Sequence, residues 1–399
     1  MRIGVIVDNE FNNDIRVRNE TLALKSAGHE VYVLCFEFGS NFGAEYEGIH
    51  INRWKLDRKR KNILFALFHS LNLYSFLWAK KIEDFIKKNS IEIIHVHDLY
   101  MSRAGFLGKK KSKVPMVLDL HENYTYAVEG YQWMYKKYST HIIKPERWKN
   151  IEERYLNYAD TIVTLSNTFK KYLLAKYNSL NESKMIVYPN APDVETLMSY
   201  KIDTEIIPKN NDFVLFYFGV ISKRRGIFMV LDSLEKLIKE IPNIKLLIIG
   251  PVDKSESTLF EDRINNPLIK ENVIYYPWKD ISLLPSYITY SDVCLSPIEK
   301  NPQHESGIAN KVFQYMLFER PVLVSNCGPQ QEVIEESKSG LVHIWDSAED
   351  FSNKVIKLYS NKEKAKQMGI NGRKAVLEKY NQIELIKPML RFYDNINKA

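Results

Sequence analysis

The chain has 399 residues, 45% hydrophobic and 26% charged, too long for one core and too apolar for a disordered chain. Its 56 basic and 49 acidic residues leave a net charge of +7, which suits an anionic small molecule or an anionic membrane surface and does not call for nucleic acid. The three scattered cysteines, Cys35, Cys294 and Cys327, give neither a disulfide framework nor a zinc spacing.

The chain opens with a strand-like run, Ile3 to Val7, too short for a signal-peptide core. The expected address is therefore cytoplasmic, with peripheral contact at the inner face of the membrane. After the loop Asn9 to Asp14, a helix from Ile15 carries Val17, Leu22, Leu24 and Ala27 and ends at Gly28. The strand Val31 to Leu34 completes a βαβ opening, so a parallel sheet is expected. No G-x-G-x-x-G follows the first strand, which argues against a nicotinamide or flavin enzyme.

The basic stretch Lys55 to Asn62 precedes seventeen residues without formal charge, Ile63 to Ala79. That length is at the lower limit of a bilayer span, and His69, Ser70, Asn72 and Ser75 interrupt it. It reads either as a helix packed on the sheet or as a basic-aromatic surface facing anionic lipid. Two buried-strand patterns then break into polar residues. Ile93 to Asp98 carries His95 and His97, and Met116 to Glu122 carries Asp119 and His121. Carboxyl ends of such strands are where α/β enzymes keep their chemistry. Neither H-x-x-x-H nor paired-cysteine spacing supports a metal, and no Asp-x-Asp pattern favours a metal-held nucleotide. Asn123 to Trp148, rich in Tyr and Trp, reads as a mobile loop with helical pieces. Further strands are predicted at Ile162 to Ser166 and Met185 to Tyr188, followed by Pro189-Asn190-Ala191-Pro192. The polar segment from there to Pro208 reads as an interdomain linker.

The second half restarts the same grammar. A strand at Phe213 to Phe218 runs into Gly219 to Gly226, where Lys223, Arg224 and Arg225 sit at a strand-to-helix loop. Such a loop is either a solvated basic turn or a place where cations and helix N–H groups converge on phosphate. A helix at Ile227 to Glu240 and strands at Ile244 to Ile249, Val273 to Tyr276 and Val293 to Ser296 follow. The stretch Glu305 to Glu332 then predicts a helix capped by Ser306, a buried strand Val322 to Ser325, and a turn at Asn326 to Pro329. Gly307 leaves the backbone at that helix start open to a ligand, and a helix N-terminus is a ready phosphate site. The same spacing also fits an ordinary αβα unit with no ligand. After Phe351 the pattern is helical.

Taken in order, these motifs resemble a family-four glycosyltransferase of the GT-B fold, an α/β architecture of two Rossmann-like domains facing each other across a cleft. Asp14 to Val17 with Ala27 to Val31 is similar to the family's opening helix and second strand. Val117 to Glu122, Val187 to Pro192, Gly219 to Gly226, Asp292 to Pro297, Glu305 to Glu332 and Met368 to Arg373 follow as in the family. The resemblance implies an N-terminal acceptor domain over 1–195, a C-terminal donor domain over 208–378, and a helix over 379–399 returning to the first. It implies retaining transfer of a sugar from a UDP- or GDP-linked donor, with no metal and no further cofactor. The implied acceptor is a glycan or a polyprenyl-linked glycan in surface polysaccharide or glycoconjugate synthesis.

By the same resemblance His121, Arg225 and Glu305 are the expected catalytic residues. Donor binding falls on Gly219, Lys223, Trp278, Lys279, Ser306, Gly307, Ile308, Ala309, Lys311 and Gln314, and acceptor binding on Asn13, Asp14, Arg16, His97 and Glu122. Three positions depart from the family pattern. Ser306 stands where the first Glu of Glu-x7-Glu is usual, Gln314 where the second is, and Val220 where many relatives carry arginine. Gln still hydrogen-bonds a diol but lacks the carboxylate's charge. Two other readings fit the same motifs: a non-catalytic GT-B subunit that binds nucleotide sugar or scaffolds a partner, and a GT-B nucleotide-sugar epimerase using Glu122 and Glu305.

Overall fold

The computed structural model describes residues 1–39, 42–69, 73–128, 146–207 and 211–398. Most of the Tyr- and Trp-rich segment Asn123 to Trp148 lies outside those residues, as does the end of the expected linker at Pro208. The chain forms two compact units, Met1–Pro189 with Ile386–Ala399, and Asn190–Leu385.

The first unit is built on an eight-stranded sheet. Its strands are β1 (Arg2–Ile6), β2 (Glu30–Glu37), β3 (Glu45–Tyr46), β4 (Ile49–Lys55), β5 (Ile93–His97), β6 (Met116–Asp119), β7 (Thr161–Thr164) and β8 (Met185–Val187). Their spatial order is β3-β4-β2-β1-β5-β6-β7-β8, and only β3 runs antiparallel to its neighbour. Parallel strands buried on both faces need continuous apolar runs, and β5 is buried at every residue. The helices that concern function are α1 (Ile15–Ser26), α2 (Arg58–His69), α3 (Tyr74–Asn89) and α4 (Ser102–Gly108). Asp14 caps α1, its Oδ1 accepting from the Val17 N–H at 3.1 Å. The expected run Ile63 to Ala79 is therefore the end of α2 and the start of α3, not one helix. No helix of the described residues is long and apolar enough to cross a membrane.

In the basic stretch before Ile63, Lys61 turns inward while Lys55, Arg58, Lys59 and Arg60 stay exposed. Lys61 Nζ lies 2.9 Å from Asp8 Oδ2, and Arg58 reaches the buried Glu10 at 3.5 Å. Asp8 and Glu10 follow β1, and carboxylates buried there require a cation or donor. Tyr74 and Tyr100 also donate to Asp8, at 2.5 and 3.2 Å.

The second unit has a six-stranded parallel sheet in the order β11-β10-β9-β12-β13-β14. These are β9 (Phe213–Phe218), β10 (Ile244–Ile249), β11 (Val273–Tyr276), β12 (Val293–Ser296), β13 (Val322–Ser325) and β14 (Gly340–His343). The segment expected as an irregular linker begins with helix α5 (Val194–Ser199), whose Leu197 is buried in this unit's core. Helix α6 (Ile227–Glu240) buries Ile227, Val230, Leu231, Leu234 and Leu237 against β9 and β10, the i, i+3, i+4 stripe of a core-facing helix. Each such side chain contributes roughly 1.5–3 kcal/mol of burial. The returning segment starts at Ile386 and not at 379, because Tyr380 packs into the second core and donates to Glu336 at 2.8 Å. The C-terminal helix Lys387–Lys398 belongs to the first unit, where Tyr393 OH meets His95 Nδ1 at 2.8 Å.

Candidate active site

In the first unit, chemistry gathers at the carboxyl ends of β5 and β6. Asp119 closes β6 at zero exposure, and Arg16 from the first turn of α1 holds it in a fork. Arg16 Nε donates to Oδ2 at 3.1 Å and Nη2 to Oδ1 at 2.9 Å. The same guanidinium donates to the Tyr188 carbonyl at 3.0 Å and lies 4.5 Å over the Tyr188 ring. Burial alone would raise the Asp119 pKa, but Arg16 and the two neighbouring histidines hold it well below the usual carboxylate range. Arg16 is thus committed to a buried pair, which makes it a positioning residue for Asp119 and not an open acceptor contact.

Asp119 in turn organises the histidines. His97 Nδ1 lies 2.8 Å from His121 Nε2, and Asp119 Oδ2 lies 3.5 and 3.4 Å from those two atoms. On the other side of its ring, His121 Nδ1 is 3.9 Å from Asp98 Oδ1. Burial opposes a charge on His121, yet the Asp98 and Asp119 carboxylates outweigh it and raise its pKa to about 9. Burial pushes Asp98 up to about 6. His121 is therefore a cation at neutral pH, a hydrogen-bond donor and not a general base. His97 is only 1% exposed, so it supports His121 and does not face a ligand. Asp98 has a left-handed backbone, φ +71°, at the point where β5 ends. Asn13 is exposed and donates to Glu10 at 2.8 Å, while Glu122 is half-buried beside His121.

Glu20, His95, His97 and Asp119 bring potential ligand atoms within 4.8 Å of one another. The His95 and His97 rings, however, stack at 4.8 Å with only 5° between their planes. Imidazole binds a metal in its own plane, so one ion cannot serve two parallel rings, and Arg16 already engages both Asp119 oxygens.

In the second unit, Gly219 ends β9 with φ +136° and Lys223–Arg225 form one 3-10 turn. Gly226 (φ +76°) must be glycine, because a Cβ there would meet the Pro297 carbonyl oxygen at 1.7 Å. That approach brings the basic turn against the end of β12. Lys223 is exposed, its N–H donating to Glu256 at 2.7 Å. Helix α7 (Asn310–Leu317) starts beside it, with Ala309 as an N-cap that offers no side-chain bond. The helix thus begins later than expected. Ser306 does not cap it, since its hydroxyl donates to the Gln303 carbonyl at 2.6 Å and closes a separate turn.

Lys311 is 9% exposed, its Nζ 4.0 Å above the Tyr217 ring. Burial, and then the Arg225 charge, pull its pKa well below the usual lysine value. Burial likewise lowers Arg225. Neither cation has a carboxylate partner among the described residues. His304, buried beside them, gives Nδ1–H to the Glu299 carbonyl at 2.7 Å, and its pKa falls to about 4, first through burial. Ile308 is buried, Gln314 half-buried on α7, and Trp278 is 71% exposed, with Lys279 Nζ 4.1 Å from the Tyr276 ring.

Glu305 lies at a second helix start. Its Oε1 accepts the Gly328 N–H at 2.9 Å, at the N-terminus of helix α8 (Gly328–Ser337). A carboxylate held at a helix start ties two loops together. A cavity of about 470 Å³ lined by Asn211, Asp292, Arg320 and Lys362 lies at the amino ends of β9, β12 and β13, the wrong edge for this chemistry. Sequence reasoning missed Tyr217 and His304, and the pairing of Arg16 with Asp119. The only signal for the last was an acidic residue closing an apolar strand.

Two units built on parallel strands with polar clusters at strand ends, one holding cations with no carboxylate partner among the described residues, define the class of two-domain GT-B enzymes. The description "Glycosyltransferase Family 4" matches residues 15–196 and "Glycosyl transferases group 1" matches residues 200–375. The chain belongs to the family-four glycosyltransferases. It is 21% identical to spore coat protein SA of Bacillus subtilis over 350 residues, 82% of this chain and 84% of that one. It is 23% identical over 189 residues to the capsular polysaccharide biosynthesis glycosyltransferase CapM of Staphylococcus aureus, 47% of this chain and 48% of that one. Among solved structures it is similar to Anabaena Alr3699/HepE in complex with UDP, with a TM-score of 0.72, 14% identity and full coverage of both chains.

Proposed function

We propose that this glycosyltransferase takes its sugar from a nucleotide diphosphate donor, UDP- or GDP-linked, and transfers it with retention to a glycan or polyprenyl-linked hydroxyl. The observation that carries the reading is the pair of buried Lys311 and half-buried Arg225, which have no carboxylate partner among the described residues and lie by the bare N-terminus of α7. Such a site has a standing deficit of negative charge that a diphosphate fills. The UDP in the similar Anabaena structure and the capsular and spore-coat relatives support the donor and product classes.

In the proposed reaction the bond from the anomeric carbon to the diphosphate oxygen breaks as the acceptor oxygen bonds on the same face. The hydroxyl proton passes to the departing phosphate. Arg225, Lys311 and the α7 N–H groups stabilise the negative charge that develops, so the reading needs no metal. His121, held as a cation by Asp98 and Asp119, donates to a sugar hydroxyl. Gln314 in place of a carboxylate leaves a second reading, a subunit that binds nucleotide sugar without turnover. A thermal-shift screen of UDP- and GDP-sugars, followed by assays for nucleotide release with candidate acceptors, separates the readings. Stabilisation with release supports transfer, stabilisation alone supports the second reading, and no shift with any nucleotide sinks both.

A further inference from the structure

The exposed face of α3 is apolar at its first turn and basic further along. Its first turn presents Phe76 at 52% and Leu77 at 38% exposure, with Leu73 just before it at 41%. Arg103 on the adjacent α4 places its guanidinium 4.8 Å over the Phe76 ring, and Phe106 one turn on is 37% exposed. Further along α3 the exposed positions are Lys80, Lys81, Asp84, Lys87 and Lys88. Apolar and aromatic side chains at one end of a face, bordered by cations, are the composition of an interfacial helix. The inward pair of Lys61 with Asp8 removes that side chain of α2 from this role.

We propose that the α3–α4 face of the first unit docks on an anionic lipid bilayer. Phe76, Leu77 and Leu73 enter the boundary between headgroups and acyl chains, while Lys80 and Lys81 meet the lipid phosphates. Charge argues for lipid over a second copy of the chain, since a symmetric contact would set these lysines against themselves. The buried residues of α3, among them Trp78, Ile82, Phe85 and Ile86, anchor it to the sheet, so the face is a fixed platform.

The test is flotation of the full chain with vesicles of phosphatidylcholine, alone or mixed with phosphatidylglycerol, at low salt. The wild type is expected on mixed vesicles only, and raised salt releases it. Phe76→Ser with Leu77→Ser should weaken binding at least about tenfold. Lys80→Gln with Lys81→Gln should weaken it about thirtyfold. UDP binding and cooperative melting are retained in both, because all four residues lie on the exposed face of α3. No flotation of the wild type, or unchanged flotation of both variants, overturns the proposal. A dimer in sedimentation that the Phe76 and Leu77 changes dissolve assigns the face to self-association and overturns it as well. Vesicle binding is read without donor, so it stands or falls apart from the transfer reaction.

Discussion

Arg225→Ala separates a cation kept for a ligand from one kept for the fold. Arg225 loses solvation by burial and feels the like charges of Lys311 and Arg224, with no carboxylate to offset the cost among the described residues. Its removal should leave the melting temperature of the ligand-free chain unchanged or raise it, because like-charge repulsion is relieved. Nucleotide binding should suffer in the opposite direction. A hydrogen-bonded cation on a diphosphate contributes about 2 kcal/mol, a factor of about thirty in Kd for UDP or GDP. An exposed solvated arginine would cost under about 1 kcal/mol. Calorimetric titration of the nucleotides, paired with melting curves without ligand, reads both quantities. A variant that melts earlier yet binds nucleotide as tightly as wild type would refute the reasoning, because Arg225 would then be structural.

In the first unit, Asp119→Asn should be severe in the opposite sense. It leaves Arg16 buried with its forked partner gone, and breaking such a pair costs about 3–5 kcal/mol, readable in urea unfolding. An unfolding midpoint within error of wild type would show that Arg16 and Asp119 are not coupled as described. Stability should also depend on pH through His121. Its pKa rises on folding from 6.5 to about 9, so its contribution is full below 6.5 and is lost as pH climbs to about 9. The loss is on the order of 3 kcal/mol. His95 and His97 shift downward, and so act below this window. His121→Gln should flatten unfolding stability between pH 6.5 and pH 9, and a variant that keeps the wild-type slope would assign it to other groups.

Much of the second unit was legible because its strands are uninterrupted apolar runs, and β9, β10, β11, β12 and β13 fall on the predicted segments. The helix α6 was equally plain, bounded by Gly226 and a Pro242 just past its end. The strand β4 was not, since His50, Asn52 and Arg53 interrupt its apolar pattern where the strand is half exposed. Nor was β14, which opens on Gly340 because a Cβ there would strike the Val322 carbonyl. At the site, residue types and strand ends were visible, but their partners were not. Arg16 and Asp119 are 103 positions apart, and Glu305 and Gly328 are 23. The pattern of a strand says where its carboxyl end lies; it says nothing about which distant side chain folds onto it.

That gap in legibility coincides with the difference between the two units. At the ends of β5 and β6, Arg16, Asp119, His121 and Asp98 satisfy one another, so this cluster is set before any ligand arrives. At the start of α7, Lys311 feels the charge of Arg225 and neither has a carboxylate partner among the described residues, so in the proposed reading an anion completes that cluster. Similar parallel sheets therefore carry opposite charge arrangements. A self-paired cluster presents hydroxyl-binding donors without demanding charge in return, as a neutral sugar requires. An unpaired one favours whatever brings two negative charges, which matches the proposed division between acceptor and diphosphate donor. It also follows that nucleotide should stabilise the second unit more than the first, because only there does binding remove an electrostatic penalty that the fold itself leaves standing.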